Sequence, residues 1–403
     1  MEQEDLIVVG GGPAGVMTSL LFARAGCRAT VLEKHADFFR DFRGDTVHPS
    51  TMEILDELGL LKRFLARPHD RLDRAQIRIG GREWQVGDLS HLPTAAPFIA
   101  MMPQWDFLDF LRDEAARYPG FRLEMEAPVE HFLVEEGRVT GARLKGGGER
   151  RARLVIAADG RSSLVRSEGL LPVEDLGAPI DVLWFRLTKA SPSGEALQAV
   201  VEAGALLVLI DRHDYWQCAF LVPKGEAEKI KAGGIAAFRE RLHALAPELD
   251  LRSLRSIDDL YLLRVALDRL REWHRPGLLA IGDAAHAMSP IGGVGINLAI
   301  QDAVAAANAL AGPLAAGRNV DPLLAWVQGR RMLPTRLVQA AQKRAQEAVL
   351  APLLARAEPL TQAPWPVRLL DRWPRLRRAP GRMIGLGIRR ESVQSPETAS
   401  VQS

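Results

Sequence analysis

Residues 6–15 read LIVVGGGPAG, an apolar run followed by a glycine cluster that fits the pattern G-x-G-x-x-G. The apolar run predicts a buried strand, and the residues after the cluster predict a helix. Gly10 permits a tight turn, Gly12 lets the backbone approach a phosphate, and Gly15 lets the helix pack closely on the strand. Glu33 ends the next strand, where a carboxylate accepts hydrogen bonds from ribose hydroxyls. The pattern predicts a βαβ unit that binds a dinucleotide, with FAD and NAD both open at this point.

The composition is that of a globular protein. Of its 403 residues 47% are hydrophobic, and 52 Lys and Arg nearly balance 50 Asp and Glu, which leaves a net charge of +2. This length gives room for about two domains. So small a net charge favours neither a disordered chain nor a nucleic-acid partner.

Cysteine usage and the first residues bear on location. Cys27 and Cys218 are the two cysteines, too few for a disulfide framework or a four-thiolate metal site, so we expect a reducing, cytoplasmic setting and no bound metal. Residues 1–5 are acidic where a secretory signal is basic, and the apolar run at 6–9 is far shorter than a membrane span. A soluble protein without an integral membrane segment is therefore expected.

Strand and helix patterns alternate through the first half of the chain. They predict a helix over 50–61, a hairpin over 76–87 that turns at Gly80-Gly81, a helix over 105–118 and a buried strand over 154–158. Four strand-like segments at 181–187, 197–202, 205–211 and 215–222 then predict an antiparallel sheet. A strand followed by a long helix returns at 277–310, which predicts that the first domain is discontinuous in sequence.

Two further segments place an aspartate beside a glycine at the end of an apolar run. Residues 159–163 read DGRSS, and residues 282–297 read GDAAHAMSPIGGVGIN. With the glycine turn at 10–15, these motifs follow the order found in the class A flavoprotein monooxygenases, the family of para-hydroxybenzoate hydroxylase. The sequence resembles that family over nearly its whole length.

The resemblance implies an α/β fold with some α+β character. It consists of a Rossmann-like FAD-binding domain, an inserted antiparallel β-sheet substrate domain and C-terminal helices. We therefore expect the FAD-binding domain over 1–176 and 271–320, with substrate-side segments around 70–105. The substrate domain is expected over 177–270, a helical region over 321–390 and a disordered tail over 391–403.

The resemblance also implies which residues bind the cofactor. FAD is expected to contact Gly10, Gly12, Pro13, Ala14, Gly15, Glu33, Lys34, Arg43, Gln104, Val129, Asp159, Asp283, Pro290, Gly293, Gly295, Ile296 and Asn297. Asp283 is expected on the ribityl chain and Val129 beside the adenine. Arg43 and Pro290 are the residues expected beside the flavin ring, and no general base is identified.

The start of the helix at Gly295 has a physical rationale of its own. A glycine-rich turn that opens a helix presents backbone N–H groups without intrahelical partners and the positive end of the helix dipole. That arrangement suits the negative charge of a reduced flavin. Asp159 is expected near the pyrophosphate, held in place by Arg166, whereas His286 is interpreted as a structural residue.

The family's reaction sets the expected partners. NAD(P)H, a transient co-substrate, reduces FAD by hydride transfer, O₂ adds at the flavin C4a position, and the hydroperoxide transfers an oxygen atom to the substrate. The resemblance thus implies a hydroxylase acting on an aromatic or polycyclic small molecule. A monomer or a homodimer is expected.

The middle sheet is expected to form a wall of the substrate site. On alternating strands Trp184 and Arg186 share one face, as do Trp216 and Phe220 with Cys218. One of these sets is a candidate for an apolar pocket beside the flavin, and ordinary core packing is the competing interpretation.

The stretch before the tail is strongly basic. Residues 365–390 contain arginine at positions 368, 372, 375, 377, 378, 382, 389 and 390 against the single acid Asp371. The favoured interpretation is a helical region that packs its apolar face on the substrate domain while the arginines stay solvated. Peripheral contact with anionic lipid, or binding of an acidic substrate, is the alternative.

Three other functions compete with hydroxylation. A flavin-dependent halogenase shares the fold, but its W-x-W-x-I-P segment has Cys218 here in place of the second tryptophan. A flavin-dependent reductase of double bonds would consume no O₂ in its chemical step. A non-enzymatic flavoprotein with a basic docking tail would show no substrate-stimulated oxidation of NAD(P)H.

Overall fold

The computed structural model describes residues 3–39, 46–189, 196–202, 204–356, 360 and 362–399. Its strands are β1 (Glu4–Val9), β2 (Ala29–Leu32), β3 (Thr46–Val47), β4 (Asp70–Leu72), β5 (Arg74–Ile79), β6 (Arg82–Asp88), β7 (Ile99–Met101), β8 (Phe121–Glu124), β9 (Val129–Glu135), β10 (Arg138–Leu144), β11 (Glu149–Ala157), β12 (Val173–Asp175), β13 (Ile180–Thr188), β14 (Leu197–Glu202), β15 (Ala205–Asp211), β16 (Tyr215–Pro223), β17 (Tyr261–Leu263), β18 (Asp268–Leu270), β19 (His274–Arg275), β20 (Leu278–Ala280) and β21 (His286–Ala287). Its α-helices are α1 (Pro13–Arg24), α2 (Pro49–Glu57), α3 (Leu61–Leu65), α4 (Gln104–Ala115), α5 (Leu164–Ser167), α6 (Glu226–Ala232), α7 (Gly234–Leu245), α8 (Gly295–Ala315), α9 (Asp321–Ala345), α10 (Ala351–Leu354), α11 (Trp365–Arg372) and α12 (Pro374–Leu386).

The first sheet is built on parallel strands in the order β20-β11-β1-β2-β8, with β19 at one edge and the β9–β10 hairpin attached to β11. The strands β1, β2, β8, β11 and β20 run parallel to one another, whereas β10 and β19 pair with this set in the antiparallel sense. Their carboxyl ends, at Val9, Leu32, Ala157 and Ala280, therefore meet at one edge of the sheet. Each end leads directly into one of the motifs found in the sequence.

Helices α1 and α8 cover this sheet. The strand β1 and most of α1 are buried in the main core, together with the apolar face of α8. Residues 291–315 are long and apolar enough to span a membrane, but 72% of their apolar window is buried inside the protein. Within the described residues α8 is thus a core helix of the first domain.

The second sheet has seven strands in the order β17-β13-β16-β15-β14-β5-β6. Its strands from β13 to β16 are antiparallel, as expected, and the predicted hairpin at Gly80-Gly81 forms β5 and β6. The hairpin joins the sheet by a parallel pairing of β5 with β14. Helices α11 and α12 pack along β6 and so cover this edge of the sheet.

The prolines of the helical region lie both inside helices and at their starts. The helix α9 runs for 25 residues with Pro334 in its interior, and Pro380 lies inside α12. Pro352, Pro366 and Pro374 instead occupy the first turns of α10, α11 and α12, where a missing backbone N–H costs nothing.

The expectation of a disordered tail is wrong for residues 391–399. Glu391 is buried, and Arg24 of α1 donates to the Ser395 carbonyl at 2.9 Å. The Thr398 hydroxyl donates to the Ala25 carbonyl at 2.6 Å. This segment has no helix or strand, but it is fixed to α1 and α9 by side-chain and backbone hydrogen bonds, a contact that local sequence patterns do not reveal.

Candidate functional site

The glycine turn has two positions closed to side chains and one that is open. A Cβ atom on Gly10, whose φ is +103°, would lie 2.5 Å from the Ala158 carbonyl oxygen, and one on Gly15 would lie 1.9 Å from the Gly10 carbonyl oxygen. At Gly12, by contrast, no atom of the described residues lies within 4 Å of the Cβ position. Gly12 precedes Pro13 and Ala14 at the start of α1. The space before this helix end therefore has the shape of a phosphate cradle.

Glu33 ties the turn to the end of β2. Its carboxylate accepts the Gly11 N–H at 2.8 Å and the His35 N–H at 3.1 Å, and the residue is buried. The neighbouring Lys34 is exposed. The sequence predicts a ribose contact for Glu33, and the structure adds that the same carboxylate fixes the backbone of the glycine turn.

Asp159 lies beside this turn with one carboxylate oxygen unused. Its Oδ2 accepts the Leu164 N–H at 2.9 Å, whereas Oδ1 is buried and has no partner among the described residues. Burial raises the pKa of this carboxyl, against hydrogen bonds from Ser163 and Leu164. An orphaned buried oxygen next to an open phosphate cradle fits a ligand that brings a hydrogen-bond donor.

The expected contact between Arg166 and Asp159 is replaced by contacts elsewhere. Arg166 donates to the Asp283 carbonyl at 2.9 Å and the Ala284 carbonyl at 3.1 Å, and it pairs with Asp268 at 2.7 Å. It thus fixes the backbone of the Gly-Asp segment. The sequence spacing placed Arg166 near the right motif but did not identify its partners.

Asp283 lies where the two motif segments and α8 converge. Its Oδ2 accepts from Arg161 Nε at 3.2 Å, and its Oδ1 lies 3.9 Å from the position of a Cβ on Gly295. The preceding Gly282 has φ +59°, and a Cβ there would approach Ala14 and Ala299 to 3.2 Å. Gly282 therefore lets α1 and α8 approach each other, and the half-exposed Asp283 carboxylate lies beside the start of α8.

The first turn of α8 is reached through Pro290 and a short turn with two left-handed glycines. Gly292 and Gly293 have φ +79° and +63°, and residues 290–296 remain partly exposed. The N–H groups of Gly295 and Ile296 belong to the first turn, where a helix offers them no internal partner. The helix therefore begins where the sequence predicted, and the contact of these donors with a ligand stays a prediction.

Asn297 is buried and has a structural task that the sequence did not indicate. Its Oδ1 accepts the His48 N–H at 3.1 Å and the Thr51 hydroxyl at 2.7 Å, while its Nδ2 donates to the Gly293 carbonyl at 3.3 Å. Asn297 therefore joins α2 to the loop before α8.

Two other predicted cofactor contacts lie at the starts of secondary-structure elements. Gln104 is the first residue of α4 and Val129 the first of β9, and both are half-buried. Arg43 lies outside the described residues. Three features thus fit a dinucleotide: the open cradle at Gly12, the orphaned oxygen of Asp159 and the donors at the start of α8.

A buried ionic network lies behind the Gly-Asp segment. Asp302 accepts the Gly282 N–H at 3.1 Å and contacts His286 Nε2 at 2.6 Å through one oxygen, and it accepts from Arg331 Nε at 2.9 Å through the other. Arg331 also donates to Glu391 at 3.2 Å. Burial alone would raise the pKa of Asp302, but the facing His286 and Arg331 outweigh it and lower that pKa.

His286 is thus a buried partner of Asp302, in agreement with its structural interpretation. The sequence did not single out Arg331 or Glu391. Each lies in a segment whose pattern indicates only a helix or a tail. The one signal available in the sequence was a charged residue, Arg331, at a helical position where the pattern expects a buried side chain.

His48 is a second buried histidine that the sequence did not single out. Its Nδ1 lies 2.9 Å from the Ile384 carbonyl, so this nitrogen carries the proton and donates to α12. Its Nε2 is buried without a partner among the described residues. Burial lowers the pKa of His48 to about 4 from 6.5, so the neutral ring joins α2 to α12.

This shift predicts that the protein loses stability in mild acid. Between pH 6.5 and about 4 the unfolded chain protonates His48 while the folded protein does not. The free energy of unfolding therefore falls as pH falls through this window, by about 1.4 kcal/mol per pH unit and roughly 3 kcal/mol in all from this one group. Urea unfolding at a series of pH values measures the slope.

The matched variant is His48→Asn, whose amide keeps a donor for the Ile384 carbonyl but does not titrate. We expect a shallower pH slope for this variant over the same window, with stability near the wild-type value at neutral pH. Equal slopes in the two proteins would contradict the assignment.

The candidate substrate residues lie on opposite faces of the second sheet. Trp216 and Phe220 are buried in a cluster with Phe238 of α7, whose ring meets that of Phe220 at 5.4 Å. This face is ordinary core. Arg186 is exposed, with its guanidinium 4.8 Å from the centre of the Tyr215 ring.

Trp184 belongs to the other face of the sheet, which packs against the cluster that Ile291 also contacts. It is half-buried and packs against two apolar clusters. Ile291, which follows Pro290, packs against the first of these clusters. Met101 and Ile210 belong to the second. Of the predicted substrate residues Trp184 is therefore the one that shares an apolar cluster with the loop that precedes α8.

Comparison with known proteins identifies the family of the chain. Residues 3–341 match a family model described as "FAD binding domain". The chain is 36% identical to the 6-methylpretetramide 4-monooxygenase of Streptomyces rimosus over 313 residues, which cover 75% of this chain and 74% of that relative. It is 27% identical to the para-nitrophenol 4-monooxygenase of Pseudomonas sp. strain WBC-3 over 339 residues, which cover 81% and 83%.

A solved structure shows the same fold. The crystal structure of PqsL, described as a probable FAD-dependent monooxygenase from Pseudomonas aeruginosa, superposes with a TM-score of 0.73 at 22% identity and covers 88% of this chain and 99% of PqsL. At that identity the likeness concerns the fold alone. The family match and the 36% identical relative decide the assignment: the chain belongs to the FAD-binding family of the FAD-dependent aromatic monooxygenases, and its cofactor is FAD.

Proposed function

We propose that this enzyme hydroxylates a polycyclic phenolic small molecule, with NAD(P)H as a transient co-substrate. The observation that carries the proposal is the convergence of the glycine turn, Asp159, Asp283 and the start of α8 at one edge of the first sheet, beside an apolar face of the second. The 36% identical relative supports the substrate class, since its name states that it acts on 6-methylpretetramide. The other three functions that the sequence left open have no comparable support.

Each motif has a separate task in binding the cofactor. The start of α1 would hold the pyrophosphate in front of Gly12, and Glu33, which fixes the turn, would bind the adenosine ribose. Asp159 would accept a hydrogen bond at Oδ1, and Asp283 would bind the ribityl chain. The N–H groups at the start of α8 would stabilise negative charge on the flavin.

Bound FAD supplies hydride acceptance from NAD(P)H and the activation of O₂. The chain itself supplies position and exclusion of water. Pro290 and Ile291 would border the flavin, and the face of the second sheet that carries Trp184 packs against the same apolar cluster as Ile291. An apolar wall of this kind orients a planar substrate and keeps the reacting region dry.

The enzyme is proposed to act in the cytoplasm as a monomer or a homodimer. The test of function starts with the visible spectrum of the purified protein, followed by NAD(P)H oxidation, O₂ uptake and product mass with phenols, quinolones and aromatic polyketides. The expected result is a yellow protein whose O₂ uptake is stimulated by a polycyclic phenol and yields a product heavier by one oxygen atom. A yellow protein that never consumes O₂ with any substrate would contradict hydroxylation.

Trp184→Leu tests the substrate wall. Loss of the indole removes an aromatic contact to a planar substrate, so we expect the KM for the substrate to rise roughly tenfold, which corresponds to about 1.4 kcal/mol. FAD content is expected to stay normal, because Trp184 lies on the second sheet. Steady-state kinetics with the substrate found above measure the effect.

The matched control is Trp216→Phe, which changes a tryptophan on the opposite face of the same sheet. We expect this variant to lose some stability and to keep its KM. If Trp216→Phe raised the KM while Trp184→Leu left it unchanged, the proposed face would be the wrong one.

A further inference from the structure

Helices α11 and α12 carry an exposed surface that the flavin chemistry does not use. Five large apolar side chains on these helices and at the residue that joins them are exposed, namely Trp365, Leu369, Trp373, Leu376 and Met383. Trp365 and Trp373 expose 70% and 57% of their surface. Scattered exposed apolar residues are normal in soluble proteins, but a cluster with two tryptophans on adjoining helices marks an interaction site.

The same surface is basic. Five arginines share it, at positions 368, 372, 375, 378 and 382, and all are exposed. Among the described residues none of these five takes part in an ion pair, and Asp371, the one acid between 362 and 390, is half-buried. Asp371 accepts the Gln85 N–H at 3.1 Å and pairs with Arg82 at 3.4 Å. We call these ten exposed side chains the basic–aromatic face.

Both helices are fixed to the same strand, so their outer sides point the same way. The helix α11 is held at β6 through Asp371 and the Gln85 N–H. The helix α12 approaches β6 so closely that a Cβ on Gly381 would lie 2.0 Å from the Asp88 carbonyl oxygen. With their inner sides on β6 and the loop that follows it, the two helices present one continuous outer surface.

The helical periodicity mixes the two kinds of side chain along that surface. On α11 Trp365, Leu369 and Arg372 recur at intervals of four and three residues and so form one stripe, with Arg368 beside it. On α12 Arg378 and Arg382 form a basic stripe next to Leu376 and Met383. Such amphipathic helices with tryptophan and arginine on the outer side lie in the plane of a lipid–water interface.

We infer that the basic–aromatic face docks the enzyme on the surface of an anionic lipid bilayer. The indoles of Trp365 and Trp373 occupy the headgroup level, and the arginines pair with lipid phosphates. The charge complementarity favours lipid, because all the exposed charges on the two helices are positive while the apolar residues between them suit the acyl boundary. The inference stands on this surface and does not depend on which substrate is hydroxylated.

Flotation of the FAD-loaded enzyme with vesicles tests the inference. One set contains phosphatidylcholine alone and the other contains about 30% phosphatidylglycerol, which supplies the negative surface potential. We expect the enzyme to float with the anionic vesicles and to be released by about 0.5 M NaCl, because salt screens surface charge. Tryptophan emission is expected to shift to shorter wavelength on binding.

Two variants separate the charge from the aromatic contribution. Arg368→Ser with Arg372→Ser removes two phosphate contacts, and the partition coefficient on anionic vesicles should fall on the order of 20-fold, since each arginine near such a surface contributes about fivefold. The control for this double variant changes Arg122 and Arg264 to Ser, because both arginines are exposed and lie outside the two helices. Trp365→Ser with Trp373→Ser should abolish the emission shift, whereas Trp326→Ser, at an exposed tryptophan of α9, should not.

Each possible outcome decides the matter. Equal flotation with neutral and anionic vesicles, or equal losses in the test and control variants, would overturn the inference. So would a concentration-dependent dimer that Trp365→Ser with Trp373→Ser makes monomeric, since the face would then meet a second copy of the chain. FAD content and thermal midpoint, measured for every variant, show that the fold is retained.

Discussion

Gly12→Val is expected to give a folded protein that no longer holds FAD. Gly12 has extended backbone angles, φ −74° and ψ −178°, which valine adopts without strain, and its Cβ position is clear of the described residues by 4 Å. A valine side chain would instead occupy the space at the start of α1 where we propose that the pyrophosphate binds. We expect FAD affinity to fall at least about a hundredfold, since several phosphate hydrogen bonds are lost together.

The visible flavin absorbance of the purified variant, and titration of the apoprotein with FAD, measure this loss. Gly329→Val is the matched control, because Gly329 also has no atom of the described residues within 4 Å of its Cβ position and lies on α9. The control should keep its full FAD content. A Gly12→Val protein with normal FAD content would show that the pyrophosphate lies elsewhere.

The second large effect is expected from Arg331→Met, which leaves two carboxylates buried without their shared cation. Arg331 exposes 1% of its surface and bridges Asp302 to Glu391. Breaking a buried pair by removal of one partner costs about 3–5 kcal/mol, chiefly because the remaining charge stays desolvated. Urea unfolding at neutral pH should show a loss of this size in the free energy of unfolding.

Arg330→Met provides the control. Arg330 donates to the same Glu391 oxygen at 2.7 Å, but its side chain is 27% exposed. We expect its replacement to cost about 1 kcal/mol or less. Adding Asp302→Asn and Glu391→Gln to Arg331→Met should restore much of the lost stability, because the uncompensated charges are then gone. Equal losses for the two arginine variants would refute the network as a buried one.

The parts of the fold that sequence predicts well are those with local patterns. The strand at residues 6–9, the turn at Gly10 and the hairpin at Gly80-Gly81 form as expected, because positive φ at glycine and alternating apolar residues act over a few positions. The pairing of β5 with β14 joins segments more than a hundred positions apart. No local pattern encodes such a pairing.

Pro334 shows why proline rules alone mislead. Proline ends a helix when nothing else holds the backbone, yet here the residue is buried inside α9 with Arg331 and Thr335. Tertiary packing on α8 offsets the missing hydrogen bond. The sequence contains the proline but not the packing that tolerates it.

The residues of the candidate site also divide into those that local patterns predict and those whose roles depend on tertiary contacts. Gly12, Asp159 and Asp283 could be predicted because each follows a strand whose carboxyl end lies at one edge of a parallel sheet. His48 and Asn297 could not, because their roles depend on contacts between α2, α8 and α12. The partners of Arg166 were missed for the same reason.

The contact of Arg24 with Ser395 joins residues 371 positions apart, and Arg331 meets Glu391 only when the last segment is in place. The first sheet is also incomplete until β20 is present, because β20 pairs with β11 across more than a hundred residues. Closing such long loops is the slow part of folding, because chain entropy is lost before the contacts form. The cofactor site, which needs Asp283 and the start of α8 beside Gly12 and Asp159, is therefore incomplete until most of the chain has been synthesised.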